Sequence, residues 1–324
     1  MSTMPPQPET AAPENPRQYL DPRVLGRIHR LDLRTRLIVE GFLAGQHRSP
    51  YQGMSVEFAQ HREYVPGDDP KFIDWRVYSR TDRHFIKQYE AETNLRCTFL
   101  VDVSESMKYA GVRRREGLTK FHYAASVAAS LALLLLRQQD AVGLATFDED
   151  WVTHVPPSAN PKQINAVCRT LEAASASLTA KTGIEAVCRR ACETIAHRGL
   201  VCVISDLLVA DRAAMMRALV RLAHRGHDVM VLHILDDDEL TFPFEGNTRF
   251  VAMEETAEMI AEGRALRDGY LEAVGRFIRF VQRECVGHCM AYATVNTADN
   301  LGAVLAQFLA RRQALGRRWT SKRR

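Results

Sequence analysis

Cys97-Thr98-Phe99-Leu100-Val101-Asp102-Val103-Ser104-Glu105-Ser106-Met107 is the stretch on which the reading of this 324-residue chain turns. The apolar run 97–101 reads as a buried strand and Asp102 to Met107 as the loop that leaves it. Successive side chains on a strand alternate, so Asp102, Ser104 and Ser106 fall on one side, and a loop continuing the strand can gather their three oxygens around one point. One carboxylate and two hydroxyls, with coordination positions left for water, suit Mg²⁺, which prefers oxygen and dehydrates reluctantly. The competing reading is an ordinary strand-to-helix turn in which Ser or Asp caps the next helix.

Downstream, apolar strands are expected at 97–102, 141–147, 200–205, 229–235 and 290–295. Between and after them, helical patterns fall near 120–138, 160–174, 183–197, 211–225, 255–284 and 298–312. Continuous Val/Ile/Leu runs separated by amphipathic helices predict an α/β fold, a mostly parallel sheet with helices on both faces. In such sheets the functional crevice lies at the carboxyl ends of the strands. Asp206, closing Leu200-Val201-Cys202-Val203-Ile204-Ser205, falls there as Asp102 does. Thr182-Gly183 precedes the helix near 183; taken singly, Thr182 and Asp206 also read as helix caps.

Residues 1–18 have the composition of a disordered leader. Asp21-Pro22 opens a helical pattern ending near Gly45, with Asp21 as the cap and Pro22 at the first helical position. From 50 to 95, Pro, Gly and aromatics interleave with charges, which predicts an irregular, partly β segment. The expected organisation is a leader (1–18), an N-terminal helix and irregular segment (19–95), an α/β domain (96–312) and a basic tail (313–324).

Composition is that of an ordinary globular protein, 46% hydrophobic and 25% charged. Arg311, Arg312, Arg317, Arg318, Lys322, Arg323 and Arg324 carry seven of the positive charges behind the net +4, so the remainder is mildly acidic at −3. No basic groove for nucleic acid is expected. Seven cysteines without a Cys-x-x-Cys pair read as reduced core thiols, and Cys285 and Cys289 around His288 as packing rather than ligands. The N-terminus lacks the basic start and apolar core of a signal peptide, and the apolar stretch 124–136 falls short of the roughly 20 residues a membrane helix needs. A cytoplasmic protein without membrane insertion is the expectation. His233, at a strand end, reads as a satisfied core histidine.

Asp102-x-Ser104-x-Ser106 after a buried strand, with Thr182 in a second loop and Asp206 in a third, resembles the metal-ion-dependent adhesion site of von Willebrand factor A domains. The resemblance implies a von Willebrand A-like, Rossmann-like fold. It also implies a metal held by Asp102, Ser104, Ser106, Thr182 and Asp206, with Mg²⁺ as the occupant and Mn²⁺ or Ca²⁺ as alternatives. In that family the hydroxyls bind the metal directly, the carboxylates act largely through water, and one position stays open for a partner's carboxylate. Lys181 departs from the pattern, because a small residue is usual beside this Thr; a cation there would weaken the metal or replace it.

Arg62-Glu63-Tyr64-Val65-Pro66-Gly67-Asp68-Asp69 and Ile73-Asp74-Trp75 read as a turn bound by a web of charged hydrogen bonds, or else as a catalytic acid pair at Asp68 and Asp69. No phosphate loop, nucleophile elbow or His-Glu-x-x-His accompanies the pair. Together, Gly53-x-x-x-Glu57-Phe58, the Arg62 to Trp75 motif, Lys87 to Glu92, Asp102 to Met107, His233-Ile234-Leu235-Asp236-x-x-Glu239-Leu240, Phe242-Pro243-Phe244 and Tyr270 resemble the bacterial family called domain of unknown function 58. Its members often neighbour MoxR-type AAA+ ATPases in genomes. The resemblance therefore implies a non-enzymatic interaction module, an adaptor or co-chaperone for such an ATPase or its clients. The alternatives are a metal-dependent hydrolase using Asp68, Asp69 or Asp102, and a metal-free scaffold of the same fold.

Overall fold

The computed structural model describes residues 20–26, 28–46, 61–63, 75–81, 83, 85–87, 95–111, 118–175, 178, 181–195, 198–251 and 258–310. In chain order the first elements are α1 (Pro22–Leu25), α2 (Leu31–Gln46), β1 (His61–Glu63), α3 (Trp75–Thr81), β2 (Phe85–Lys87) and β3 (Arg96–Asp102). There follow α4 (Lys120–Arg137), β4 (Ala141–Phe147), β5 (Trp151–Ser158), α5 (Gln163–Ala174), α6 (Ile184–Thr194) and β6 (Leu200–Ser205). The last are α7 (Arg212–His224), β7 (Asp228–Leu235), α8 (Asp237–Thr241), β8 (Asn247–Val251), β9 (Glu258–Glu262), α9 (Gly263–Gly287), β10 (Ala291–Asn296) and α10 (301–310). Residues 46–94 form one unit, and residues 1–45 with 95–324 the other.

In the larger unit a six-stranded sheet has the order β10-β7-β6-β3-β4-β5, parallel throughout except for β5, which runs antiparallel to β4. The chain first winds outward from β3 to β4 and β5, then returns to the other side of β3 for β6, β7 and β10. The switch point of this doubly wound order therefore lies between β3 and β6. The α/β, mostly parallel sheet with helices on both faces expected from the sequence is the fold the chain adopts.

Period-two alternation gives each central strand two buried faces. On β6, Cys202 and Ile204 join the apolar cluster formed with α2, α4, α5 and α10, while Val201 and Val203 join the one formed with α6, α7 and α9. On β3, Phe99 and Val101 face the first cluster and Leu100 the second. On the first face, Arg34 of α2 is buried and donates to Ser126 Oγ of α4 (3.1 Å) and to the Ile28 carbonyl. Burial pushes the Arg34 guanidinium down to about 10.

Several elements differ from the sequence reading: the helical pattern from Asp21 to Gly45 is two helices, α1 and α2, and α3, α8 and β8 have no counterpart in it. The edge strand β5 was not expected, because its side chains are largely exposed and show no apolar alternation. The helix expected from 255 begins only at Gly263, where an added Cβ would stand 2.5 Å from the Phe244 carbonyl; the residues before it form β9, paired with β8. Met259 and Ile260 of β9 are exposed, so neither the helical nor the strand period is enforced there by burial.

In the smaller unit, β1 and β2 pair antiparallel, with Arg62 opposite Ile86, and the rings of Trp75 and Tyr78 meet edge to face at 6.0 Å. Asp68 and Asp69, the expected leader 1–18 and the basic tail 313–324 lie outside the described residues. Among the described residues no helix is long and apolar enough to cross a membrane.

Candidate metal centre

β3 ends at Asp102 and the adjacent β6 at Ser205, so Asp102 and Asp206 emerge side by side at the switch point. The Val103 N–H donates to the Phe147 carbonyl (2.7 Å), carrying the β3–β4 ladder one residue past Asp102. The Ser104 N–H then turns back onto Asp102 Oδ1 (2.9 Å), and a single 3₁₀ turn over Glu105–Lys108 follows. That turn, anchored by buried Met107, brings Ser106 Oγ to 3.1 Å from Ser104 Oγ. Ser104 occupies the cap position of the turn yet makes no side-chain cap bond, so its hydroxyl is turned toward Ser106 instead.

Asp206 completes this group. Its Oδ1 accepts the Leu208 N–H (3.2 Å), and the nearby Ser106 hydroxyl helps hold its carboxyl pKa down. The next residue, Leu207, is buried with φ +55°, a left-handed conformation that costs a non-glycine residue energy and that clusters at functional sites. Asp211, not Asp206, caps α7 by accepting the Ala213 and Ala214 N–H groups. The capping account of Asp206 therefore fails.

Thr182 is half-buried at the same carboxyl edge, in the loop before α6. The Gly183 N–H donates to the Asp148 carbonyl (2.8 Å), pinning that loop to the turn that leaves β4. A Cβ at Gly183 would lie 2.3 Å from the Glu149 carbonyl oxygen, so only glycine allows the approach. Gly183, not Thr182, occupies the cap position of α6. The hydrogen bonds above join Asp102, Ser104 and Ser106; Asp206 emerges beside them from β6, and Thr182 is brought to the same edge on its own loop.

The cation in this site is not Lys181, which is exposed, but Lys120, the first residue of α4. Lys120 is buried, and its Nζ donates to Asp206 Oδ2 (2.7 Å) and to Glu239 Oε1 (3.0 Å), beneath the ring of Tyr109 (6.0 Å to its centre). Burial by itself would lower the Lys120 pKa, but the charges of Asp206 and Glu239 outweigh it and hold the ammonium above its ordinary range. Burial likewise raises Asp206, and Lys120 more than reverses it. Asp102 has no such neighbour, and burial together with the charge of Asp206 pushes its carboxyl up to about 7 against hydrogen bonds from Ser205 and Ser104.

Sequence reasoning did not assign Lys120 or Glu239 to the site. Glu239 carries a sequence signal, since Asp236-x-x-Glu239 is a capping box: Asp236 caps α8 and Glu239 Oε2 accepts the Asp236 N–H (2.7 Å). Lys120 has none, because only the packing of α4 aims it inward. His233 is the core histidine expected: its Nε2–H donates to the Asp206 carbonyl (2.9 Å) and its Nδ1 accepts from Tyr292 (2.7 Å). Burial lowers it to about 4, so the ring is neutral.

Asp206 and Glu239 thus share one ammonium, Asp102 lies buried beside Asp206 without a cation of its own, and the all-oxygen donor set is of the kind that suits a hard divalent cation. Among the described residues no group of three or more His, Cys, Asp or Glu is placed to hold a metal ion, so the fit depends on the serine and threonine hydroxyls.

Residues 60–276 match the profile of the family described as Protein of unknown function DUF58. The chain belongs to that family. The match spans every residue of the site, from Asp102 to Glu239. Uncharacterized proteins of Mycobacterium tuberculosis and Mycobacterium bovis are each 25% identical to this DUF58 chain over 299 residues, covering 90% of it and 91% of their own length. Among solved structures, an aerotolerance-related membrane protein from Bacteroides fragilis with multiple mutations to serines is 18% identical, covering 66% of this chain and 96% of its own, with a TM-score of 0.45. The conserved hypothetical protein BatB from Bacteroides thetaiotaomicron is 17% identical over 67% of this chain and 98% of its own, with a TM-score of 0.46.

Proposed function

We propose that this chain is a non-enzymatic protein-interaction module whose Mg²⁺ site engages a carboxylate on a partner, as a cytoplasmic adaptor or co-chaperone of a MoxR-type AAA+ ATPase. The observation that carries the reading is the pair of facing hydroxyls, Ser104 Oγ and Ser106 Oγ at 3.1 Å, beside a buried Asp102 with which no lysine or arginine among the described residues forms an ion pair. Ser104, Ser106 and Thr182 would supply neutral oxygens to the metal, and Asp102 and Asp206 the balancing charge. A bound divalent ion with few direct anionic ligands stays electrophilic, so an incoming Asp or Glu gains a strong ionic bond. The partner class comes from the family resemblance, and the carboxylate chemistry from the site.

The hydrolase alternative is less well supported. Two-metal hydrolysis needs several carboxylates converging on one point, and here Asp206 is already engaged by Lys120. Calorimetric titration with Mg²⁺ and Mn²⁺, on wild type and Asp102→Ala, tests the site. Binding by wild type that the variant loses is the expected result, and no binding by wild type removes the metal. Capture of the purified ATPase with and without chelator tests the partner: capture that survives chelation leaves the metal-free scaffold, and turnover of a substrate by the purified chain overturns the non-enzymatic reading.

A further inference from the structure

We propose that Glu239 is a positioning residue for cation binding: it shares the Lys120 ammonium with Asp206 and so decides whether Asp206 is free to balance a metal. This inference rests on the metal reading above and concerns two residues outside the ligand set.

The two carboxylates that share the ammonium are both held in place. Glu239 Oε2 is fixed by the Asp236 N–H (2.7 Å), and Asp236 in turn accepts from Thr297 Oγ1 (2.7 Å) beyond β10 and from the Asp238 N–H (3.0 Å). Asp206 is held by the Leu208 N–H, and its carbonyl by His233. The lysine between them is a point charge on a four-carbon stem rooted at the start of α4. A cation that draws on the charge of Asp206 weakens that arm of the bridge, and the ammonium keeps Glu239 at 3.0 Å as its counter-ion. Without Glu239 the ammonium depends on Asp206 alone, and an arriving cation would strand a buried positive charge. Without Lys120, Asp206 is an uncompensated buried anion that only the cation satisfies.

The signs of the effects follow, and a cap-only role for Glu239 does not reproduce them. Glu239→Gln keeps the acceptor for the Asp236 N–H and should weaken Mn²⁺ binding about tenfold, whereas Lys120→Met should tighten it about tenfold. In the Lys120→Met background, Glu239→Gln should change affinity by less than about twofold, because the ammonium it served is gone. Calorimetry with MnCl₂ on the four full-length proteins reads this cycle, with circular dichroism to verify folding and Lys120→Gln replacing the methionine variant if that one does not fold. Wild-type affinity in Glu239→Gln, or an equal loss in both backgrounds, overturns the proposal while leaving the metal reading standing. Binding by Lys120→Met with none by wild type supports the role of Lys120 and sinks the wild-type metal reading. No binding by any of the four overturns both.

Discussion

The Ser205 hydroxyl donates to Asp102 Oδ2 at 2.5 Å and accepts the Leu207 N–H at 2.9 Å, so one oxygen ties the end of β6 to the carboxylate that ends β3. Ser205→Ala removes a donor from buried Asp102 and leaves the N–H of left-handed Leu207 without an acceptor. Unsatisfied buried polar groups cost about 1–3 kcal/mol, and that loss is the expected result of urea unfolding in chelator. A variant as stable as wild type would show that the hydroxyl does not hold the two strand ends.

Gly183→Ala probes the second loop. The added methyl meets the Glu149 backbone rather than a side chain that could swing away, so the loop must shift as a body. We expect a destabilisation of about 1–3 kcal/mol, and with it a weaker Mg²⁺ affinity through displacement of Thr182. Affinity equal to wild type in a folded Gly183→Ala protein would remove Thr182 from the ligand set.

The neutral His233 makes stability depend on pH in a defined direction. Its folded pKa of about 4 lies below the ordinary histidine value, so between pH 6.5 and 4 the unfolded chain binds the extra proton and stability falls as pH falls. The full contribution is roughly 3 kcal/mol, present above pH 6.5 and lost by pH 4. Asp102, raised to about 7, contributes in the opposite sense, because its folded form keeps a proton that the unfolded carboxylate has released. Comparing His233→Gln with wild type in chelator cancels the Asp102 part. The variant should lose less stability on acidification, and parallel curves would show that the ring titrates in the folded protein as it does in the unfolded chain.

Thiol chemistry gives a fourth test. Cys97, Cys168, Cys188, Cys192, Cys202 and Cys285 are buried, and burial pushes Cys168 up to about 11 and Cys285 up to about 12, so neither forms thiolate near neutrality. Cys289 is exposed, at the turn after α9. A thiol reagent at pH 8 should label one site per chain quickly, and Cys289→Ser should abolish that fast phase. Rapid labelling of several sites would mean that the sheet's flanking helices open readily.

The elements legible in the sequence are those that burial constrains twice over. β3, β4, β6 and β7 are inner parallel strands covered on both faces, and their continuous apolar character follows from that, while the edge strand β10 keeps a shorter apolar pattern. β5 carries exposed side chains at an edge, and β8 and β9 form a mostly exposed hairpin, so no periodic signal marks them. In the site, Asp102, Ser104, Ser106 and Asp206 were readable because their places are counted from strand ends. Lys181 stands next to Thr182 in sequence, but its side chain is exposed. The residue that brings charge to the site is Lys120, whose inward aim depends on how α4 packs across the sheet, a relationship that no local spacing encodes.

The far edge of the sheet bears on how this molecule keeps apart from its neighbours. On β5, Pro156 and Pro157 carry no N–H, and the ladder with β4 slips between Val142 and Leu144, where Gly143 leaves room for the Pro157 ring. The Gln163 amide fills the gap by donating to the Pro156 and Val142 carbonyls (2.7 and 3.1 Å). An outer strand interrupted in this way is a poor template for another chain, which is how natural sheets avoid joining edge to edge into aggregates. The protein can therefore present its loops at high local concentration without polymerising through this edge.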